Sequence, residues 1–208
     1  MLPTLQPATP DMAPVASALL YLTMGKMADY LFGADNPQNA QELLERLFRA
    51  KSNRFSYQFT EVATLSGEVT GLVIAYSGRL LKSLELPMAL HLIQASGVLG
   101  FIRFMKRAFP LFGVKEAEND AYFISNLAVL PAYQGQGLGK YLLSQVEKTA
   151  REQGFNKISL TVDVENERAF SLYTRTGFNV IETVEIESLQ KHIGYSGFHR
   201  MAKVLSAT

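Results

Sequence analysis

Apolar side chains recur with helical spacing in two segments near the start of the chain. A first helix is predicted to follow Pro10, with Asp11 as its N-cap residue or in its first turn. A second helix is predicted over residues 39–50, after a break at residues 33–37, and residues 4–8 are predicted to form a short strand before both. The apolar faces comprise Ala16, Leu19, Leu20 and Leu22 in the first helix, and Leu43, Leu44, Leu47 and Phe48 in the second.

Extended segments follow these helices. Residues 55–65 are rich in aromatic and β-branched side chains, and residues 69–76 continue the apolar pattern after the turn Ser66-Gly67-Glu68. Two such segments around a short polar turn predict a β-hairpin. Residues 121–130 form a nearly continuous apolar run, which is typical of a central strand that is covered on both faces.

The second half of the chain alternates between helical and extended patterns. Helices are predicted over residues 138–153, followed by Gly154, and over residues 167–176, capped by Asn166 and ended by Gly177. The apolar face of the first comprises Leu138, Tyr141, Leu142, Val146, Thr149 and Ala150. Strands are predicted over residues 157–163, 178–186 and 198–205. This order predicts an α/β (α+β) fold with a mixed central sheet of about six to seven strands flanked by helices.

Residues 79–115 interrupt this order as a predicted helical insertion before the fourth strand, with one or two helices. Within it, residues 86–102 contain no Lys, Arg, Asp or Glu over 17 positions. This run is shorter than the roughly 20 apolar residues of a membrane span, and His91, Gln94 and Ser96 interrupt it. A buried or partner-facing helix is therefore favoured over membrane contact. The insertion is expected to form a lid, an apolar wall of an acceptor site or a contact in a homodimer.

Composition narrows the classes of function. The 208 residues fit a single domain over residues 1–208, and the formal net charge of +1 gives no indication of a nucleic-acid partner. The absence of cysteine excludes disulfides, zinc sites of the cysteine type and a thiol nucleophile. The N-terminus lacks a basic start followed by a long apolar run, so a cytoplasmic location is expected.

The segment Gln-Gly-Gln-Gly-Leu-Gly at residues 134–139 stands directly before a predicted helix. Three alternate glycines expose backbone N–H groups at the positive end of the helix dipole, which predicts an anion site suited to phosphate. A nucleotide P-loop would need glycine in place of Gln134 and Ser or Thr in place of Tyr141. A dinucleotide fingerprint would need glycine in place of Lys140. Neither of these two motifs is present.

The pattern Gln-x-x-Gly-x-Gly at residues 134–139 instead resembles the acetyl-CoA loop of the GNAT superfamily of N-acetyltransferases. A second segment, residues 166–178, is similar position for position to the family pattern Asn-x-x-Ala-x-x-x-Tyr-x-x-x-Gly-Phe. Both motifs lie within residues 122–178. The resemblance implies a GNAT-like fold with an acetyl-CoA-binding core at residues 121–178, and no metal.

The same resemblance implies roles for individual residues. Tyr173 would be the general acid that protonates the leaving thiolate of CoA. Asn166 would cap its helix, contact the pantetheine arm of CoA, or do both. Lys140 would add charge to the phosphates or simply be solvated. The backbone of Leu127, Ala128 and Val129 would contact the oxyanion and the pantetheine arm. The pyrophosphate would be bound by the loop residues Gln134, Gly135, Gln136, Gly137, Leu138 and Gly139.

Without a cysteine, the acetyl group would pass directly from acetyl-CoA to a bound primary amine in a ternary complex. The general base stays open at this point, since Asp120, Glu118 and a water chain all fit, and His192 and His199 are weaker candidates. Acceptor contacts are expected from residues 24–40, 118–126 and 186–199, of which 190–199 has the composition of a recognition loop. The alternative is a non-catalytic CoA-binding regulatory module.

Overall fold

The computed structural model describes residues 3–33 and 37–205. The strands of the described residues are β1 (Thr4–Pro7), β2 (Thr60–Leu65), β3 (Glu68–Ser77), β4 (Tyr122–Val129), β5 (Lys157–Asp163), β6 (Asn179–Glu185) and β7 (Gly197–Val204). They form one seven-stranded sheet in the order β1-β2-β3-β4-β5-β7-β6. Its neighbouring strands are antiparallel except β4 and β5, which are parallel. The predicted mixed sheet and its strand count are confirmed.

The described helices are α1 (Ala13–Met24), α2 (Lys26–Ala28), α3 (Pro37–Arg49), α4 (Leu80–Ser83), α5 (Glu85–Ala108), α6 (Leu138–Glu152), α7 (Glu167–Arg175) and α8 (Glu187–Ile193). Asp11 lies in a 3-10 turn, Pro10–Met12, that precedes α1. A π-helical turn, Asp29–Gly33, continues from α2. Residues 34–36 of the predicted break lie outside the described residues.

Strand β4 is the middle strand of the sheet, as its apolar run predicts, and its alternate side chains enter two different cores. Phe123 packs in the core that contains Leu20 of α1 and Leu47 of α3. Ile124 packs in the core that contains Leu142 of α6, on the other face. Because successive side chains of a strand point to opposite faces, helices cover β4 on both sides and hold it in place.

Strands β4 and β5 separate part of the way along their length. They pair only over Tyr122–Ile124 and Ile158–Leu160. Strand β4 continues to pair with β3 on its other side as far as Val129. The peptide groups of residues 125–129 that point towards β5 therefore have no strand partner, and a cleft opens between the two strands at their carboxyl ends.

The insertion consists of α4, α5 and a 3-10 turn, Phe109–Leu111, and the regular backbone of α5 breaks at Gly97 (φ 71°, ψ 172°). The interpretation as a buried helix is wrong for most of it, since Leu86 and Leu99 are 70% and 72% exposed. Other apolar side chains of α5 are exposed as well, namely Leu90, Val98 and Ile102. By length and composition alone, the segment Leu80–Leu111 is apolar enough to cross a membrane. Within its apolar stretch of 18 residues, 11% is buried inside the protein. Whether a partner covers the outer face stays a prediction.

Residues 190–199 differ from the predicted recognition loop, because their first part belongs to helix α8. Leu189 of this helix is buried and packs with Ile186 and Phe198, and Ile193 packs against the same cluster. These spacings of three and four residues form one apolar face, which the predominance of polar residues in this segment obscures. Gly194, in the left-handed conformation, ends the helix.

Candidate active site

The glycine loop forms an open cradle at the start of α6. Gly135 and Gly137 have φ values of 80° and 85°, which side-chain-bearing residues rarely adopt. Within the described residues, no acceptor takes a hydrogen bond from the N–H groups of residues 135–140. These N–H groups and the positive end of the α6 dipole are therefore available to an anion at the protein surface.

The position before the glycines is held in place by two contacts. Gln134 donates from Nε2 to the carbonyl oxygen of Val129 (2.8 Å). Arg168, in the first turn of α7, donates to Oε1 of Gln134 (2.5 Å). Arg168 thus brings to the loop a positive charge that Gln134 itself lacks. Sequence reasoning missed this residue, because its place beside the loop depends on how the start of α7 packs.

Helix α7 positions two polar side chains of the second motif, Asn166 directly before its first residue and Tyr173 within it. Asn166 caps the helix as predicted, since its Oδ1 accepts from the N–H of Ala169 (3.1 Å). Tyr173 lies on the inner face of α7, is buried, and has its ring 5.8 Å from that of Phe178. Burial, and then the negative charge of Asp163, raise the pKa of Tyr173 to about 12. Its hydroxyl therefore keeps its proton at neutral pH.

A cavity of about 820 Å³ runs from the cleft between β4 and β5 to the space beneath the insertion. Leu127, Asn166 and Tyr173 line it, whereas the loop 134–140 lies outside its walls. Ala128 is buried in the core with Leu20 and Leu47 and does not line the cavity. The segments predicted to bind the acceptor also contribute, with Met24, Met27, Ser125, Asn126, Tyr195 and Phe198.

Asp163, the last residue of β5, is the functional candidate that sequence reasoning missed. It lines the same cavity as Tyr173, and its Oδ1 accepts a hydrogen bond from the hydroxyl of Tyr195 (3.1 Å). Burial raises the pKa of Asp163 to about 6, partly opposed by the Tyr195 hydrogen bond and assisted by Glu165. The sequence contains an indication of this role, because ligands bind outside the carboxyl ends of parallel strands and Asp163 is the last residue of such a strand.

The base candidates taken from the sequence lie elsewhere. Asp120 forms an ion pair with Lys157 (2.8 Å), and Glu118 pairs with Lys115 (2.9 Å) and with Arg200. Hydrogen bonds from the two lysines hold the pKa of each carboxylate below its usual value. Neither residue lines the cavity, and neither do the other two candidates, His192 and His199.

Two other carboxylates, Glu85 and Glu116, line the cavity. Glu85 is exposed at the start of α5. Glu116 forms a two-pronged ion pair with Arg54, with N···O distances of 3.1 and 2.5 Å. Burial works against ionisation of Glu116, but the Arg54 charge more than offsets it and leaves the pKa of Glu116 below its usual value. Asp163 is thus the cavity carboxylate that is both enclosed and free of a cationic partner, among the described residues.

Comparison with known proteins identifies relatives of this chain. The model of the acetyltransferase (GNAT) family matches residues 29–178. A segment of 71 residues is 35% identical to the ribosomal protein bS18-alanine N-acetyltransferase of Haemophilus influenzae, covering 34% of this chain and 48% of that protein. The chain spans about half or less of the length of the curated relatives first matched.

Solved structures share the fold over nearly the whole chain. An N-acetyltransferase from Staphylococcus aureus Mu50 superposes with a TM-score of 0.74 at 23% identity, covering 96% of this chain and 99% of that one. The PaiA N-acetyltransferase from Thermoplasma acidophilum, solved in complex with coenzyme A, superposes with a TM-score of 0.56 at 13% identity, covering 98% and 99%. These likenesses support the same architecture of sheet and flanking helices.

Proposed function

Because this chain belongs to the acetyltransferase (GNAT) family, we propose that it transfers the acetyl group of acetyl-CoA directly to a primary amine. The observation that carries the proposal is the shared cavity of Tyr173 and Asp163 at the cleft between β4 and β5. One is a buried proton donor and the other a half-buried proton acceptor. Acyl transfer from a thioester to an amine needs one of each.

Acetyl-CoA would bind with its pyrophosphate on the N–H groups of residues 135–140 and its pantetheine arm in the cleft. Arg168 would add positive charge beside the phosphates. The peptide groups of residues 125–129 that face away from β3 would hydrogen-bond the arm and the thioester oxygen, because no strand partner competes for them. Asn166 lines the same space and would contact the arm while its Oδ1 caps α7.

In the reaction, the amine nitrogen attacks the thioester carbonyl carbon, the new C–N bond forms and the C–S bond breaks. The amine reacts in its neutral form, after its cation has lost one proton to solvent. The nitrogen becomes acidic as the C–N bond forms, and Asp163 accepts its proton and afterwards releases it to solvent. Tyr173 gives its phenolic proton to the departing sulfur and regains one from solvent. A base works best with a pKa near the working pH, and the pKa of Asp163, about 6, meets that condition.

The alternative is a CoA-binding module without turnover, and the lack of a carboxylate within β4 is an observation in its support. Asp163 at the end of β5 weakens that support, since it supplies a carboxylate to the same cavity. An assay that detects free CoA thiol during incubation with acetyl-CoA and a panel of primary amines separates the two functions. We expect amine-dependent thiol release. CoA binding without release on any amine would favour the module.

The role of Tyr173 is tested in the same assay with Tyr173→Phe, which removes only the hydroxyl. We expect kcat to fall about 100- to 1,000-fold, the range for loss of a positioned general acid, with the KM for acetyl-CoA nearly unchanged. Tyr141→Phe, on α6 and outside the cavity, is the matched control and should keep full activity. Equal rates for the two variants would exclude Tyr173 as the acid.

A further inference from the structure

The part of the cavity beyond Tyr173 has apolar walls on two sides. The insertion supplies Leu81, Leu84, Met88, Leu92, Phe101 and Phe104. The first helical region supplies Met24, Met27, Leu31 and Phe32 on the facing side. The inner side of the insertion therefore forms a wall of the space into which an acceptor must extend from the catalytic groups.

Aromatic rings make part of this wall rigid. The rings of Phe32 and Phe104 stack with centroids 5.6 Å apart, and the edge of Phe55 meets Phe32 at 6.3 Å. Phe101 stacks on Phe104 at 6.5 Å. Phenylalanine has few rotatable bonds and no hydrogen-bonding group, so this surface can bind hydrocarbon but offers nothing to a polar ligand.

Four acidic or basic side chains line this cavity among the described residues: Arg54, Glu116, Asp163 and Glu85, of which Glu85 is exposed to solvent at the start of α5. Arg54 and Glu116 neutralise each other through their two-pronged ion pair. Asp163 lies at the catalytic end and accepts from Tyr195. A second charge on the acceptor, placed among the aromatic and aliphatic side chains, would lose its hydration, and pairing of an ammonium with the exposed Glu85 would offset little of that loss.

We infer that the acceptor is a primary amine carried on a hydrocarbon or aryl body, with the amine at Asp163 and the body beneath α5. This inference rests on the proposed function and names its substrate class. The insertion thus acts as the apolar wall of the acceptor site, one of the roles that its sequence left open. A small polar amine, an amino acid or a polyamine would bind poorly by comparison.

A series of straight-chain amines tests the inference. Initial rates of thiol release by the full chain are measured with propylamine, butylamine, pentylamine and hexylamine at saturating acetyl-CoA and fixed pH. Burial of one methylene group contributes about 0.8 kcal/mol, so kcat/KM should rise about fourfold with each added carbon. 6-Aminohexanoate and 1,6-diaminohexane match hexylamine in length but carry a second charge, and we expect both to react at least tenfold less efficiently.

A variant of the wall separates its effect from the chemistry. Phe101 is only partly buried, so Phe101→Ala should fold, and it should lower kcat/KM more for hexylamine than for propylamine, which flattens the rise. Leu99→Ala is the matched control on the same helix, since Leu99 is 72% exposed and lies outside the cavity. It should leave the whole series unchanged.

The outcomes separate this inference from the proposed function. A flat series, or a preference for the charged hexylamine analogues, would overturn the apolar acceptor and leave the acetyltransferase activity standing. CoA binding measured by calorimetry, with no release of thiol on any amine, would overturn the proposed function and this inference together. A rising series that Phe101→Ala flattens and Leu99→Ala does not would establish the wall.

Discussion

The hydroxyl of Tyr195 donates a 3.1 Å hydrogen bond to Oδ1 of Asp163 across 32 positions of the chain. The two residues meet because β5 and β7 pair in antiparallel register, with Asp163 opposite Phe198. Burial of the carboxylate raises the pKa of Asp163, while this hydrogen bond favours the ionised form and limits the rise to about 6. Tyr195 thus helps to keep a half-buried carboxylate ionised at neutral pH while leaving it basic enough to accept a proton.

Asp163→Asn should abolish the acidic limb of the pH–rate profile. A primary amine is cationic below its own pKa of about 10.4, so kcat/KM is calculated on the concentration of its neutral form. With Asp163 present, this kcat/KM should fall about tenfold per pH unit below pH 6, because a protonated carboxyl cannot accept the proton of the amine. In the Asp163→Asn variant, the rate should be at least about 100-fold lower at pH 8 and the limb absent. Steady-state rates between pH 5 and 9 measure both effects.

Asp120→Asn is the matched control for this profile. Asp120 is a carboxylate at the entry of β4, but it pairs with Lys157 and lies outside the cavity. The variant should keep both the rate and the limb. Loss of the limb in Asp120→Asn, with its retention in Asp163→Asn, would return the role of base to the strand entry.

The same Asp163→Asn substitution should stabilise the fold at neutral pH. The folded-state pKa of Asp163, about 6, lies above its ordinary value of 3.8, so its contribution to stability is fully present below pH 3.8 and is lost as pH rises through 6. Asparagine does not titrate and can still accept from Tyr195. A pKa difference of about 2 corresponds to about 3 kcal/mol, and partial solvent exposure reduces the expected gain to about 1–2 kcal/mol at pH 8.

Urea unfolding at pH 4 and pH 8 measures this gain. The free energy of unfolding of Asp163→Asn should exceed that of the unaltered chain at pH 8, and the two should converge at pH 4. A variant that is less stable at pH 8 would contradict the partial burial of an ionised carboxylate at this site. A gain in stability together with a loss of activity is characteristic of a group kept for function.

The sequence was sufficient for the parts of the protein whose causes are local. The apolar run of β4, the Asn166 cap and the glycine pair of the loop each follow from a few neighbouring residues, and the structure has all three. The central place of β4 also follows, because a nearly continuous apolar run is typical of a strand covered on both faces.

The candidate base and the shape of the proposed acceptor space depend on contacts between distant parts of the chain. The place of Asp163 at the end of a predicted strand was visible in the sequence. Its contact with Tyr195 and its place beside the cleft follow from the separation of β5 from β4 and the pairing of β5 with β7. Likewise, apolar residues of α5 occur on both its inner and outer sides, so the periodicity of the sequence does not reveal which side faces a cavity.

Arg168→Gln should weaken the binding of acetyl-CoA. Arg168 supplies positive charge beside the loop through its contact with Gln134, and it is exposed, so its contribution should be modest. We expect the KM for acetyl-CoA to rise about two- to fivefold at low salt, as for an exposed charge interaction, with kcat unchanged. Added salt should reduce the difference between the variant and the unaltered chain.

Arg175→Gln provides the control for Arg168→Gln. Arg175 is an exposed residue at the other end of α7, so this variant removes the same charge from the same helix. Its KM for acetyl-CoA should stay unchanged at every salt concentration. If both variants lost affinity equally, the effect would belong to the net charge of α7 and not to the contact with the loop.

Gly137→Ala should damage the anion cradle in a way that backbone strain alone does not explain. Gly137 and Gly67 both have φ of 85° and open space where a Cβ would point, so an alanine at either position meets the same unfavourable conformation. Each substitution should lower the free energy of unfolding by about 1 kcal/mol.

Gly67 lies in the hairpin between β2 and β3, far along the chain from the start of α6. Only Gly137→Ala, by rotating the loop's N–H groups away from the phosphates, should raise the KM for acetyl-CoA, and we expect a rise of about fivefold or more. Calorimetric titration with CoA and urea unfolding of both variants make the comparison, and equal CoA affinity for the two would contradict a backbone cradle at this loop.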